Sequence, residues 1–389
     1  MDKDRSKKVV RGLPEPAAEN LAALRNNIDE IDKKIVSLLV RRQTEVNQVV
    51  VLKKAHRLPV HHPAREEDLI SDRRSQGASA GLNPDFIEEL YRCILRQSRV
   101  EQTARIARKG VKADATVLIV GGTRGMGKYL HQWFAEAGYS VRSMGSKDWP
   151  RIKSLCDGID AAIISVPIDV TGDVVHRIAP HLPQDCVLTD LTSVKADPMA
   201  AMMAAHSGPV VGLHPLFGPT TSTMDKQIVA VTPGRNHTAC QWIVDQFSAW
   251  GTVLVETDPV EHDEVMAIVQ ALRHFATFSF GKFLWRKQVN LPRTLEFSSP
   301  IYRLELGMVG RLFAQDSLLY SEIIFASEQR RTLLKEYLTS LKENLEMLEK
   351  NDKESFNSQF QQIADWFGPF GDQAIRESTF LIDKLIERF

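Results

Sequence analysis

The sequence predicts a multidomain chain: an all-α module, then an α/β doubly wound parallel sheet, then an all-α C-terminal domain of the kind that closes a site and dimerises. Three observations predict it. Apolar residues at Leu21, Leu24, Ile28, Ile31, Ile35 and Leu38 follow a three-four alternation, the seam of one long helix packed against another. The stretch VLIVGGTRGMGK, residues 117–128, runs an apolar strand straight into a glycine-rich turn. Beyond it, strand-like and helix-like segments alternate to about Thr257, and almost everything after Val260 is helical in pattern.

The first helix continues to about Lys54 and stops before LPVHHP, where Pro59 and Pro63 cannot occupy a helix interior. A second helix follows Ala64. Asn83 and Pro84 form a cap and first-turn pair for a third, FIEELYRCILRQSRVEQTARI. Residues 1–20 are expected to be a flexible charged extension, 21–109 the helical module, 110–258 the sheet domain and 259–389 the second helical domain. The strands are VLIVGG, SVRSM, AAIISVP, CVLTDL, PVVGLHP, IVAVTP and TVLVET. Strict alternation with helices implies a parallel sheet covered on both faces.

The 389 residues carry 49 Lys plus Arg against 49 Asp plus Glu. With no net field, nucleic acid and anionic membrane are poor partners, and a small-molecule enzyme fits better. The apolar runs are too short to span a bilayer, and MDKDRSKKVVRG lacks the apolar core of a secretory signal. A cytoplasmic protein is expected. Cys93, Cys156, Cys186 and Cys240 are widely spaced without a CxxC pair, so they read as reduced packing residues, with no metal site.

In a Rossmann domain the first strand turns tightly into a helix whose N-terminal amides hold a pyrophosphate, and glycine is needed where backbone and phosphate approach. Gly122 and Gly127 have the spacing of the outer glycines of GxGxxG, with Arg124 in the middle position. Gly122, Thr123, Arg124, Gly125, Met126 and Gly127, with Ser165, Val166 and Pro167 after the third strand, are the candidate cofactor contacts. The cofactor expected is NAD. Gly145 stands where an acidic ribose-binding residue is usual, so NADP is a second possibility, with Arg142, Ser146, Lys147 or Arg124 as phosphate acceptors.

Ligands of such sheets bind beyond the carboxyl ends of the strands. Three ends are chemically loaded: ISVP, DLTSVK and GLHPLFGPT. A neutral imidazole at His214 can accept the proton of an alcohol under oxidation, and Ser193 and Lys195 converge on the same edge.

SVPIDVT, DLTSVK, GLHPLFGP, VEHDEVMAIVQALRHFATF and SSPIYRLELGMVGRLFAQD together resemble prephenate dehydrogenase, and Leu21 to Gln102 resembles the all-helical class of chorismate mutase. The whole chain is therefore similar to the bifunctional chorismate mutase/prephenate dehydrogenases, the T-protein family of tyrosine biosynthesis. The resemblance implies two reactions, chorismate to prephenate and prephenate to 4-hydroxyphenylpyruvate with loss of carbon dioxide. By that resemblance His214 accepts a hydrogen bond from the C4 hydroxyl of prephenate, Ser193 orients histidine and substrate, and Lys195 adds positive charge. Arg311 binds prephenate, with Arg303 in support; His274 is a candidate for inhibition by tyrosine, and His262 a weaker one. Prephenate or arogenate dehydrogenase activity with the N-terminal helices serving only regulation or dimerisation is the alternative.

On the mutase side Arg25, Arg42, Lys53, Arg65, Glu66, Ser98 and Gln102 match the family's site positions, with Lys53 and Gln102 on the ether oxygen. The rearrangement is pericyclic and needs a cationic grip on two carboxylates, without metal or cofactor. Arg42 and Lys53 are three turns apart on one side of the helix, whereas Arg25 lies roughly 25 Å from Arg42 along it. A second chain supplying Arg25 is the economical answer, so a homodimer is expected. His61 and His62 occupy a loop where some mutases carry Arg and Asp.

Overall fold

The computed structural model describes residues 15–56, 63–106, 110–221 and 223–386, with side chains for 19–52, 64–102, 110–221 and 223–386. Three helices form the N-terminal module: α1 (Glu15–His56), α2 (Pro63–Ser79) and α3 (Pro84–Ile106). Helix α1 begins at Glu15, so residues 15–20, expected as extension, are its first turns; residues 1–14 lie outside the described residues. Asn83 caps α3 by accepting from the Asp85 amide at 2.8 Å. The close approach of α2 and α3 depends on Gly77, where a Cβ would come within 2.6 Å of Ile87.

The N-terminal half of α1 stands exposed. Leu24, Ile28, Ile31, Ile35 and Leu38, the three-four seam, all face away from the rest of the chain. The periodicity does mark one face of a long helix, but no described residue of the chain covers that face.

The next domain follows the expected alternation: β1 (Thr116–Val120), α4 (Gly125–Glu136), β2 (Ser140–Met144), α5 (Ile152–Cys156), β3 (Ala161–Ile164), α6 (Ile168–Ile178), β4 (Val187–Asp190), α7 (Ala196–Ala205), β5 (Val210–Pro215), β6 (Ile228–Pro233), α8 (His237–Ala249) and β7 (Val253–Glu256). Strand order is β2-β1-β3-β4-β5-β6-β7. Along β1, Val117 and Ile119 enter one core and Leu118 and Val120 the other, the period-two signature of a sheet covered on both faces. The sheet is parallel through β5, but β6 returns antiparallel to it. The reason is local: no helix intervenes between β5 and β6, and a parallel neighbour requires a crossover.

Of the four cysteines Cys93 is exposed and the others are buried. Burial pushes the Cys156 thiol up to about 11 and those of Cys186 and Cys240 to about 12, which makes them inert packing groups.

The remainder is helical: α9 (Pro259–Met266), a π-helical segment (Ala267–Leu272), α10 (Arg273–Arg286), α11 (Leu291–Glu296), α12 (Pro300–Phe313), α13 (Ser317–Phe325), α14 (Glu328–Glu349), α15 (Lys353–Phe367) and α16 (Pro369–Ile386). Many large apolar residues here are exposed, including Phe283, Trp285, Leu348, Phe360 and Trp366. Among the described residues no helix is long and apolar enough to cross a membrane.

Candidate active sites

The glycine turn lies between β1 and α4, next to the exit of β3, where the strand order reverses direction. Gly121 has φ +86°, and a Cβ there would sit 2.0 Å from the Ser165 carbonyl oxygen. Gly127 is equally constrained, because its Cβ would reach 2.5 Å from the Gly121 carbonyl. Gly121 therefore makes the tight turn and Gly127 permits close strand–helix packing. Gly122, the glycine the sequence pointed to, has no room for a side chain either, since its Cβ would lie 2.6 Å from Ser143 Oγ; Gly121 had no signal beyond its place beside it. Thr123, Arg124 and Gly125 are exposed, and the first amides of α4 have no intrahelical acceptor. That geometry fits a diphosphate.

At the end of β2, Gly145 is the expected non-acidic position, but its amide donates to Asp148 Oδ2 at 2.9 Å. A carboxylate is thus present three residues later. Arg142 is committed elsewhere: it donates to the Leu155 and Asp157 carbonyls at 3.0 and 2.5 Å, closing the end of α5. Through its NH1 Arg142 thus caps the end of α5.

Strand β5 carries His214 to its carboxyl end, where the side chain is 3 % exposed. Its Nδ1 is 2.9 Å from His262 Nε2, and its Nε2 is 3.2 Å from the Gln270 amide nitrogen. His262 Nδ1 in turn is 2.8 Å from Asp263 Oδ1. Burial, then the charge of Lys195 and the neighbouring His262 and Arg330, hold His214 well below the usual imidazole range. At neutral pH it is an uncharged base.

The ring nitrogens of His214 face His262 and Gln270, and no hydrogen bond from Ser193 reaches it among the described residues. Ser193 instead accepts through its carbonyl from Arg330 at 3.4 Å. Lys195 is fully buried and its ammonium is paired with Asp190 and lies 3.3 Å from Thr192 Oγ1. Its charge is felt at His214 but is not free to meet a substrate. An unpaired ammonium at that depth would be costly, which is why Asp190 accompanies it.

Asp263 does two jobs. It accepts from the backbone amides of Lys195 and Ala196 at 2.7 and 3.0 Å, a cap for α7 supplied by another helix. Burial raises its carboxyl, but hydrogen bonds from His262 and those amides together outweigh it and hold the carboxyl below the usual range.

Arg303 and Arg311 both lie on α12. Arg303 donates to the Leu295 carbonyl at 2.5 Å and so braces α11. Arg311 is exposed, and the structure does not bring it into direct contact with His214. Arg330 on α14 was missed from sequence. It is 2 % exposed, donates to the Ile323 and Ser193 carbonyls, and has no carboxylate within 4 Å among the described residues. His274 is half-buried edge-on against Tyr320, ring centres 4.8 Å apart, and burial pushes it down to about 4.

In the N-terminal module Arg42 donates to Ser98 Oγ at 2.6 Å, and Ser98 donates on to the Ile94 carbonyl at 2.8 Å. Gln102, one turn beyond Ser98, is buried with its Oε1 lacking a partner. Glu66 is held by Arg99. Arg65 is exposed, and Arg25 lies far along α1 on the exposed seam, away from Arg42. The side chain of Lys53, and His61 and His62, lie outside the described residues.

Two separate sites thus occupy one chain, and comparison with known proteins names both. Residues 24–103 match the family "Chorismate mutase type II", 143–255 the nucleotide-binding domain of prephenate dehydrogenase and 258–362 its dimerization domain. The T-protein of Enterobacter agglomerans is 42% identical over 93% of this chain and 97% of its own length.

The chain belongs to the T-protein family.

The T-protein of Haemophilus influenzae is 36% identical over 94% of the chain and 97% of its own length. Prephenate dehydrogenase from A. aeolicus, solved with hydroxyphenyl propionate and NAD+, shares the fold, with a TM-score of 0.53 at 16% identity over 65% of this chain and 97% of that one. As a T-protein family member the chain is a bifunctional enzyme of tyrosine biosynthesis, a chorismate mutase joined to a prephenate dehydrogenase. The dimerization-domain match covers residues 258–362, among them the exposed apolar Phe283, Trp285, Leu348 and Phe360.

Proposed function

We propose that His214 is the general base of the dehydrogenase and that Arg42, Ser98 and Gln102 form the described part of the mutase pocket. The observation that carries the first is a buried, uncharged imidazole at the end of β5 whose Nε2 meets only a side-chain amide. In oxidation of prephenate the C4 hydroxyl gives its proton to that Nε2 as the hydrogen on C4 departs as hydride, and the bond from C1 to the ring carboxylate breaks. The carboxylate leaves as carbon dioxide, its electron pair completes the aromatic ring, and the C4 oxygen takes a proton back to become the phenol hydroxyl. A nicotinamide nucleotide in the glycine turn supplies the hydride acceptor.

Arg311, with Arg303 behind it, is the proposed carboxylate grip. Arg330 adds a buried guanidinium at the β4 exit whose charge no carboxylate neutralises within 4 Å among the described residues, and such a group favours an incoming anion. NAD is the proposed cofactor. Asp148 at the end of β2 would repel a 2′-phosphate, and the NH1 of Arg142 is held by carbonyls. Arg124, Ser146 and Lys147 are the exposed groups that could oppose this preference.

On the mutase side, Arg42 offers a guanidinium whose pKa burial lowers, and the unpartnered Gln102 Oε1 sits beside Ser98 on the same face of α3. If the Gln102 amide group is turned, its NH2 donates to the ether oxygen, with Lys53 as the second donor. Arg25 of a second copy completes the pocket, which accounts for the exposed seam of α1 and makes the enzyme a homodimer. Tyrosine is the proposed inhibitor, with His274 at its site. A cytoplasmic location, and domain limits of 21–109, 110–258 and 259–389, belong to the same reading.

Initial rates with prephenate or arogenate, each paired with NAD or NADP, test it. The expected result is high kcat/KM only for prephenate with NAD, lowered by tyrosine in the parent and not in His274→Leu. Preference for arogenate or NADP would reverse the specificity assigned.

A further inference from the structure

We propose that His262 and Asp263 are positioning residues for the dehydrogenase: they hold the single proton of His214 on Nδ1 and so leave Nε2 bare to receive the substrate's hydroxyl proton. The inference rests on His214 being the base.

The argument follows the protons along three consecutive contacts. Asp263 Oδ1 also accepts from the Lys195 amide at 2.7 Å, and Oδ2 from the Ala196 amide at 3.0 Å. Two backbone donors and a helix N-terminus keep this carboxyl ionised, so toward His262 it can only accept. The proton of a neutral His262 therefore lies on Nδ1, 2.8 Å from Asp263 Oδ1. Its Nε2 is then an acceptor, and the group 2.9 Å away, His214 Nδ1, must donate. One proton on Nδ1 leaves Nε2 of His214 with a lone pair.

The opposite side of the ring agrees. The nitrogen facing His214 Nε2 at 3.2 Å is the amide of Gln270, which can donate but not accept. Gln270 sits in the π-helical segment Ala267–Leu272, and its own Oε1 is buried without a partner. A π-helical turn at this point is the kind of irregularity found at functional sites. The Gln270 contact marks the direction from which a hydroxyl reaches the base.

The arrangement also matters after proton transfer. Once Nε2 is protonated the imidazolium is buried beside Lys195 and Arg330, both cationic. Asp263, reached through His262, is the counter-charge at the end of the chain of hydrogen bonds, and it does not itself need to take the proton. His262 and Asp263 are 2 % exposed and part-buried, so the polarity of the chain is not averaged by solvent.

The test compares His262→Leu with His262→Gln. A glutamine amide can accept from His214 Nδ1 and donate to Asp263, preserving the direction of the chain, whereas leucine cannot. The expected result is a fall in kcat for prephenate oxidation of about 10²-fold in His262→Leu, with KM changed less than about twofold, and recovery of most of it in His262→Gln. Chorismate mutase activity of the same preparations reports that the chain is folded. Unchanged kcat in His262→Leu, or a loss that His262→Gln does not restore while mutase activity persists, overturns the proposal. Should both variants fail to fold, nitrogen-15 NMR of the parent decides: Nε2 of His214 unprotonated at neutral pH supports it and Nε2 protonated overturns it. His214→Asn keeps the two readings apart, because full oxidation by that variant removes the base itself rather than its positioning.

Discussion

Arg99 on α3 directs its Nε at both carboxylate oxygens of Asp225, at 3.2 and 3.0 Å, across the junction between the mutase helices and the nucleotide-binding domain. Its NH1 holds Glu66 on α2. The α2 carboxylate of Glu66 and a loop between β5 and β6 are thereby tied to one guanidinium, with Arg99 and Asp225 side chains 7% and 4% exposed.

Asp225→Ala is expected to leave Arg99 half paired in a buried place and to destabilise the chain by about 3 kcal/mol. Urea unfolding followed by tryptophan fluorescence measures it. A cost near zero would mean that the junction is held by its apolar contacts alone.

The pH dependence follows from His214. Its pKa in the folded enzyme is depressed below the ordinary 6.5 by burial first, and the unprotonated ring is the active form. Dehydrogenase kcat/KM should therefore hold steady as pH falls to 6.5 and decline only below it. For stability the sign is the same: a depressed folded value contributes stability present above the unfolded pKa and lost as pH falls. His274 is displaced from 6.5 to about 4, so its share is lost across that window. Rate profiles in free enzyme and denaturation midpoints at several pH values check both; an acid limb centred above 6.5 would contradict the first.

Gly121→Ala is expected to abolish NAD-dependent oxidation while leaving mutase activity. The added Cβ would meet backbone at 2.0 Å and occupy a φ of +86°, a conformation that costs other residues about 1–3 kcal/mol. Fluorescence titration of NAD against the variant checks it.

Much of this was legible in the sequence, for physical reasons that can be named. The strand, turn and helix around Gly127 were readable because close packing excludes side chains there, and His214 because it ends a strand at the ligand edge. Arg42 and Ser98 were readable as candidates because each projects from a long regular helix, but their meeting at 2.6 Å was not. The relay was not legible. His262 lies 48 residues beyond His214, on a helix whose docking against the sheet no local pattern reveals. Arg330 looked like one more helix-surface charge in EQRRTLLKE, and only packing buries it. The reversal of β6 had a signal that was passed over, the lack of a helix between it and β5.

The most direct measurement is a pair of assays on two variants: chorismate consumption without nucleotide, and NAD-dependent oxidation of prephenate, for Arg42→Ala and His214→Asn. The first variant should lose mutase activity by about 10²-fold or more and keep oxidation, and the second should do the reverse. Loss of both activities from either folded variant, or retention of full oxidation by His214→Asn, would contradict two independent sites with His214 as the base.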